Sequence, residues 1–196
     1  MRILRFRVSA ALAAALLAST PLSCGKSVTA PGPAPEFSTL EWSFERDGRP
    51  PLEGWRIGKP SLASLVRESP PGGGEWSLEL DADWAPTLGF VTRPIPGIRS
   101  GDILRLTALV RSIGEGGGSI MLSVGPGYGR HGNHPRQAYS TSTSWTLVSV
   151  QDTVSLAPSD SLWVTLSSFN TEILARRGLF DLVTLKRIGR LAPAKE

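Results

Sequence analysis

Strict alternation of apolar and polar residues between residues 103 and 111 limits the possible fold more than any other feature of this chain. Leu104, Leu106, Ala108 and Val110 fall on one side of such an alternation, and polar or charged residues fall largely on the other. Successive side chains of a β-strand point to opposite faces, whereas an amphipathic helix repeats about every 3.6 residues. The segment is therefore predicted to be a half-buried strand.

Similar runs recur after Glu36, and each is closed by a turn signal. They are Leu40-Trp42-Phe44, Trp76-Leu78-Leu80, Ile120-Leu122-Val124, Val148-Val150, Leu162-Val164-Leu166 and the closing run 178–188. Turns are expected at 71–74, 96–102 and 114–118, where many of the 21 Gly residues cluster, together with Pro71 and Pro96. About nine strands without helical periodicity predict an all-β domain, a sandwich of two antiparallel sheets packed face to face.

The N-terminus has a different pattern, which is typical of an export signal. Arg2, Arg5 and Arg7 precede an apolar run at residues 8–18, which is too short to span a bilayer. The chain has 1 cysteine, Cys24, which cannot form an intramolecular disulfide. Its position shortly after the apolar run therefore requires an explanation.

The residues around Cys24 offer one. The run Leu22-Ser23-Cys24-Gly25, preceded by Pro21, resembles the lipobox of bacterial lipoproteins, in which the cysteine becomes the acylated first residue of the mature chain. This resemblance implies a signal peptide over residues 1–23, lipidation of Cys24 and, because Gly25 follows the cysteine, anchoring in the outer membrane. The alternative is ordinary cleavage, giving a secreted or periplasmic soluble protein.

The remaining chain divides by composition. Residues 24–37 are predicted to be a lipidated N-terminus and flexible tether, because Ser27–Pro35 is rich in Pro and small residues. The sandwich domain is predicted over residues 38–189, followed by a tail at 190–196. The membrane would be reached through the lipid anchor only.

Charge argues against nucleic acid as a partner. The formal net charge is +4, but three of the 21 basic residues lie in the signal peptide, which leaves 18 against 17 acidic residues. The mature protein is therefore close to neutral. The basic cluster Lys186, Arg187, Arg190 and Lys195 is interpreted as a solvated tail.

Six short motifs follow one another after residue 38. They are Trp42-Ser43-Phe44-Glu45, Gly54-Trp55, residues 74–80 (GEWSLEL), residues 98–111 (IRSGDILRLTALVR), Thr143-Ser144-Trp145-Thr146 and residues 179–185 (LFDLVTL). In this order they resemble the carbohydrate-binding modules with a galactose-binding-like jelly-roll fold. Leu182 and Leu104 depart from that pattern, since the modules have a second Asp and often a Tyr there. The resemblance implies a two-sheet jelly roll and non-catalytic carbohydrate binding.

The same resemblance implies a structural calcium ion at the edge of the sandwich, with Glu45 and Asp181 as its carboxylate ligands. Calcium takes about six to eight oxygen ligands, so backbone carbonyls or Asp47 would have to complete the shell. The alternative is that the two carboxylates cap turns or pair with Arg46 and Arg187. No other cofactor is expected.

A sugar site requires aromatic rings outside the core, because sugars stack their apolar faces on exposed rings. Trp42, Trp55, Trp76 and Trp145 match packing positions of the resembling modules and are expected in the core. The predicted ligand-binding residues are Trp84, Tyr128, Arg130, His131, His134, Tyr139 and Trp163. Most lie in the Gly-rich segment 125–139, which is interpreted as a binding loop or a long connector. A transition-metal site at the two histidines is a weaker alternative.

Catalysis is not expected. The sequence has no G-x-S-x-G elbow, and Asp81 and Asp83 lack the cleft and opposed partner that glycoside hydrolysis needs. Residues 116–118 are interpreted as a flexible glycine hairpin, not a phosphate loop. The sequence thus predicts a monomeric envelope lipoprotein that binds a glycan. The alternative is a structural or interaction sandwich that contacts an envelope protein.

Overall fold

A computed structural model describes residues 38–46, 48, 51–82, 90–114, 116–126, 133–170 and 176–191. The predictions for the signal peptide, Cys24 and the tether lie outside these ranges. Within them the chain forms eleven strands and one short 3-10 turn, Pro60–Leu62. No helix in these ranges is long and apolar enough to cross a membrane.

The strands form two antiparallel sheets. The six-stranded sheet has the order β3 (Ala63–Val66), β4 (Ser77–Ala82), β11 (Arg176–Arg190), β6 (Asp102–Ile113) and β9 (Thr146–Thr153), and β1 (Thr39–Trp42) pairs with β11. The five-stranded sheet has the order β2 (Arg56–Ile57), β5 (Phe90–Ile95), β10 (Ser161–Asn170), β7 (Gly116–Gly125) and β8 (Asn133–Ser140). The predicted all-β sandwich is confirmed.

The core lies between the two sheets. Burial alternates along β6, where Leu104, Leu106, Ala108 and Val110 are each 0% exposed, as the sequence predicted. They pack in one cluster with inward-facing residues of the opposite sheet such as Ile120. Burying each large apolar side chain contributes roughly 1.5–3 kcal/mol, so this interface is the main source of stability.

The short or peripheral strands β2, β3, β5 and β8 were not predicted. The strand β8 corrects the interpretation of residues 125–139 as one loop, because Asn133–Ser140 pairs with β7 at the edge of its sheet. An edge strand with polar residues on both sides lacks the alternation on which the sequence analysis depended. The prediction of a flexible hairpin at residues 116–118 is also wrong, because these residues begin β7.

Close packing explains the glycines at the start of β7. A Cβ atom on Gly118 would lie 2.6 Å from the ring of Phe180 and 2.7 Å from a methyl group of Val110. On Gly117 it would overlap the backbone carbonyl of Ser140. Gly118 therefore lets the two sheets approach each other, whereas Gly117 accommodates the neighbouring strand β8 of its own sheet.

The tryptophans divide differently from the prediction. Trp55 is in the core at 8% exposed, and Trp42 packs edge-on against it with 5.6 Å between ring centroids. Trp76 and Trp145 are half-buried outside the core cluster. The guanidinium groups of Arg46 and Arg67 lie over the Trp76 ring, 4.6 and 5.7 Å from its centroid, and so replace core packing by cation–π contacts.

The basic cluster near the C-terminus is not a solvated tail. Asp102 is 0% exposed, and its carboxylate accepts hydrogen bonds from Arg190 Nε at 2.6 Å and the Arg99 backbone N–H at 3.0 Å. Arg187 Nη2 lies 3.1 Å from the same carboxylate. The strand β11 continues through Arg190, one residue beyond the predicted end of the domain. Lys186 is exposed, and Lys195 lies outside the described ranges.

The pKa of Asp102 reflects these partners. Burial by itself raises the pKa of a carboxyl group, but the Arg190 and Arg99 hydrogen bonds and the positive charges of Arg187 and Arg190 outweigh it. The pKa of Asp102 is therefore held below its ordinary value, and the carboxylate stays charged inside the fold.

Candidate functional site

Strand alternation directs one set of side chains of the five-stranded sheet away from the core. The described members of this set are Arg56, Thr92, Pro94, Ser119, Met121, Ser123, Gln137, Tyr139, Ser161, Trp163, Thr165, Ser167 and Phe169. None belongs to the core cluster. We call this set the outer face; it is made mainly of hydroxyl, amide and aromatic groups.

Paired hydroxyl groups lie in the middle of the outer face. Thr92 Oγ1 is 2.9 Å from Thr165 Oγ1, and Ser119 Oγ is 2.8 Å from Ser167 Oγ. Thr92, Thr165 and Ser119 are at most 3% exposed, although they point away from the core. Thr92 Oγ1 also donates to the Val164 carbonyl oxygen at 3.1 Å, and Ser119 Oγ to that of Ser167 at 3.4 Å, so both pairs are fixed within the sheet. Ser167 is half-buried and is the hydroxyl of these pairs that solvent can reach.

An exposed aromatic ring lies on the outer face at the β8 edge. Tyr139 is 66% exposed, and its ring contacts Phe169 edge-on with 5.6 Å between centroids. The register places Tyr139 opposite Ser119, which in turn is opposite Ser167. A ring suited to stacking therefore adjoins one of the hydroxyl pairs.

Trp163 lies on the outer face, but its ring is not open to solvent. It is 4% exposed, and its indole N–H points to the carbonyl oxygen of Gly125 at 3.5 Å. The guanidinium group of Arg56 lies over the ring, 5.2 Å from its centroid. The ring thus supports a cation and is not the open stacking surface that the sequence analysis expected.

The other predicted ligand-binding residues are distributed as follows. Trp84, Tyr128, Arg130 and His131 lie outside the described ranges. The backbone of His134 is part of β8, and its side chain is not among those described. Among the predicted ligand-binding residues, Tyr139 and Trp163 have described side chains, and both lie on the outer face. Their roles stay predictions.

The sequence did not single out Arg56, Gln137, Phe169 or the hydroxyl pairs. A signal was present in β10, where Trp163, Thr165 and Ser167 occupy the positions opposite in parity to Leu162, Val164 and Leu166. Nothing comparable marks Arg56, because β2 has 2 residues and is too short for a period.

A second region of interest lies on the six-stranded sheet around Asp181. This residue is 0% exposed, and its Oδ1 accepts the N–H of Leu182 at 2.7 Å. Its Oδ2 is buried without a hydrogen-bond partner. Leu182 has a φ of 49°, and the pairing of β11 with β6 is irregular between Asp181 and Thr184. This bulge interrupts the backbone pairing directly after Asp181.

Glu45 faces the same place. Its Oε1 accepts the backbone N–H groups of Glu75 at 3.0 Å and Trp76 at 2.9 Å, so the side chain caps the turn before β4. A Cβ atom on Gly73 would overlap Asp181 Oδ2, and one on Gly74 would overlap the Glu45 carboxylate. The glycines therefore let the turn approach both carboxylates.

The electrostatics of this region favour a bound cation or proton. Burial raises the pKa of Asp181 to about 6; the Leu182 hydrogen bond opposes the rise, and the negative charge of Glu45 adds to it. The adjacent cavity of about 630 Å³ is lined by Glu45, Gly72–Gly74 and Leu182–Thr184, among others. No third Asp, Glu, His or Cys joins the pair within the described ranges. A buried unpaired carboxylate oxygen beside a second carboxylate fits calcium, if backbone oxygens and water supply the other ligands.

No protein-family model matches the chain, and no curated protein sequence matches it. Solved structures do match. The CBM22-1 xylan-binding domain of Paenibacillus barcinonensis Xyn10C is similar with a TM-score of 0.55 at 17% identity, over 81% of this chain and 100% of that domain. A family 16 carbohydrate-binding module gives a TM-score of 0.54 at 16% identity, over 68% of this chain and 91% of the module.

The third comparison is with a larger protein. The CBM22-1 and GH10 modules of Clostridium thermocellum xylanase 10B, complexed with xylohexaose, match with a TM-score of 0.53 at 15% identity, over 78% of this chain. The match spans 29% of that two-module chain. The described domain is therefore an antiparallel jelly roll. Carbohydrate-binding modules of families 22 and 16 share this architecture, and at these identities the likeness concerns the fold alone.

Proposed function

We propose that this chain is a non-catalytic glycan-binding module that holds its ligand on the outer face of the five-stranded sheet. The observation that carries the proposal is the exposed ring of Tyr139 beside the Ser119–Ser167 hydroxyl pair. A pyranose ring has an apolar face of C–H groups and an equatorial rim of hydroxyl groups. An aromatic ring next to fixed hydroxyl groups matches both features.

Two further observations support a glycan. Gln137 is exposed two residues before Tyr139, on the same face, and it offers an amide donor and acceptor. The jelly-roll architecture is also that of several solved carbohydrate-binding modules. Architecture alone does not define a ligand, so the proposal depends on the side chains.

A binding experiment with matched variants tests the proposal. The domain is titrated with soluble neutral and acidic polysaccharides by calorimetry, and Tyr139→Ala is expected to weaken binding about tenfold, because stacking contributes about 1 kcal/mol or more. Leu147→Ala is the control, since Leu147 is also 66% exposed but lies on β9 of the other sheet. Equal binding by Tyr139→Ala and wild type would contradict the proposal. Lack of binding across the panel would favour the alternative, an envelope protein as partner.

We also propose that Glu45 and Asp181 hold a structural calcium ion. The unpaired Asp181 Oδ2 and the neighbouring Glu45 carboxylate support this. A bound cation would balance two negative charges that otherwise repel each other. Calcium added to chelator-treated protein is expected to raise the thermal midpoint of wild type but not of Asp181→Asn. An unchanged wild-type midpoint at millimolar calcium would exclude the site.

We propose that the cellular location is the outer membrane and that the protein is a lipoprotein acylated at Cys24, a residue outside the described ranges. The support is the sequence pattern around Cys24 alone. Expression with labelled palmitate is expected to label the wild type and not Cys24→Ser. An unlabelled wild-type protein in the periplasmic fraction would favour the alternative of a soluble exported protein.

A further inference from the structure

We propose that Arg56, supported by Trp163, binds the carboxylate of an acidic sugar, so that the ligand of the outer face is a polyuronate and not a neutral glycan. This inference rests on the proposed glycan-binding function. It follows from how charge is divided between the two sheets and from the contacts of each arginine in the five-stranded sheet.

Among the described strands, acidic residues occur in one sheet only. The five strands β2, β5, β7, β8 and β10 contain no Asp or Glu. The acidic strand residues all belong to the six-stranded sheet: Glu41, Glu79, Asp81, Asp102, Asp152 and Asp181. An anionic ligand on the outer face would therefore meet no opposing carboxylate from the strands beneath it.

Three arginines occur in the described strands of the five-stranded sheet, and two of them are engaged elsewhere. Arg93 donates to the carbonyl oxygen of Glu53 at 2.9 Å and lies over the Trp42 ring. Arg136 pairs with Asp152 at 3.5 Å. Neither is directed to the outer face, since both occupy the opposite parity of their strands.

Arg56 differs from both. Its side chain is exposed, its strand position is opposite Thr92 of the outer face, and its contact within the described residues is the Trp163 ring. A guanidinium group over an aromatic ring keeps N–H donors for another acceptor, because the cation–π contact does not use them in a hydrogen bond to a carboxylate or carbonyl. A carboxylate accepts two such donors at once, which makes the contact specific for planar anions.

The burial of Trp163 explains why this arginine is suited to binding. At 4% exposed and with its indole N–H directed to Gly125, the ring is held in one position. It therefore restricts Arg56 before any ligand arrives, and less side-chain entropy is lost on binding than for a free surface arginine.

The distance between Arg56 and Tyr139 sets the minimum length of a ligand that contacts both. Arg56 lies on β2 and Tyr139 on β8, at opposite edges of the same sheet. Four strand-to-strand spacings of about 4.8 Å place the two edges roughly 19 Å apart. A ligand that reaches both residues must be an oligosaccharide that runs across the strands, with the half-buried Ser167 of β10 between its ends.

The test compares polyuronates with their own methyl esters, which keep the sugar backbone and lose the charge. Polygalacturonate and alginate are each titrated beside the esterified form. Wild type is expected to bind one of the two acids about tenfold more tightly than its ester, because a charged bidentate hydrogen bond is lost. The preference is expected to shrink as salt rises.

Variants separate the inference from the function on which it rests. Arg56→Gln is expected to bind acid and ester equally, and Arg56→Lys to keep part of the preference. Arg105→Gln, an exposed arginine on β6 of the other sheet, is the control and should keep the full preference. Equal wild-type affinity for acid and ester, or binding of neutral glycans only, would overturn the inference and leave glycan binding intact. Absence of binding to every polysaccharide would overturn the proposed function itself.

Discussion

Asp102 and Asp181 are both 0% exposed and lie on neighbouring strands of the same sheet, yet their surroundings are opposite. Asp102 has hydrogen bonds from Arg190 and the Arg99 backbone, and a second arginine, Arg187, beside it. Asp181 has one backbone hydrogen bond, a negative neighbour and an oxygen without a partner. The pKa is lowered in the first case and raised in the second.

The difference lies in the partners of each buried charge. The protein itself supplies cations and hydrogen bonds to Asp102, whereas one carboxylate oxygen of Asp181 lacks a partner. Burying a charge costs free energy unless opposite charge and hydrogen bonds replace the lost water. Asp102 has these replacements from the protein itself, so it holds the end of β11 against the turn before β6. Asp181 lacks them, which is why we propose a cation there.

The largest expected effect is the loss of the Asp102 carboxylate. Asp102→Ala leaves Arg187 and Arg190 without their shared anion, one of them well buried, and should lower the free energy of unfolding by about 3–5 kcal/mol. Urea unfolding with an unchanged slope measures the loss. Glu75→Ala, which removes the exposed pair with Arg67, is the control and should change stability by less than about 1 kcal/mol. Similar losses for both variants would remove the distinction between the two aspartates.

Asp181→Asn should raise the free energy of unfolding in the presence of a chelator, whereas Asp102→Ala lowers it. The amide has nearly the shape of the carboxylate without its charge. A rise in pKa from 3.8 to about 6 corresponds to about 3 kcal/mol at neutral pH, and the variant should regain up to that amount. Measured at pH 7, a variant less stable than wild type would mean that Asp181 has partners in solution that compensate its charge.

The pH dependence follows from the same shift. Between about pH 4 and 6 the native state holds a proton on Asp181 that the unfolded chain has lost, so wild type in chelator should become more stable as pH falls from 7 toward 4. Asp181→Asn should lack this component of the curve. A wild-type curve that is parallel to that of the variant through this window would contradict the raised pKa.

The smallest expected effect is that of Glu45→Gln. The amide oxygen can still accept the Glu75 and Trp76 backbone N–H groups, while the negative charge beside Asp181 disappears. The pH at which the Asp181-dependent stability changes should therefore move down, and stability at pH 7 in chelator should rise by about 1 kcal/mol or less. An upward movement would show that Glu45 stabilises the Asp181 carboxylate.

How much the sequence could predict depended on whether a signal was local. The alternation in β6 and β10 correctly gave two facing sheets. The parity of Trp163 correctly placed its side chain outside the cluster between the sheets, but the expectation of an open ring was wrong, since the residue is 4% exposed. The Asp102–Arg190 pair could not be predicted from a local pattern, because its members are 88 residues apart in sequence and meet only through strand pairing. Glu45 and Asp181 were found through the resemblance of their motifs, since no periodicity connects them.

The position of β11 has a consequence for the order in which the domain can assemble. This 15-residue strand follows all other described strands, yet it pairs with β1, β4 and β6 and so occupies the middle of its sheet. Until β11 is in place, β4 and β6 have no common neighbour, and the earlier strands cannot close over their apolar side chains. Folding must therefore wait for the last part of the domain, and a chain cut before residue 176 should remain open to proteases.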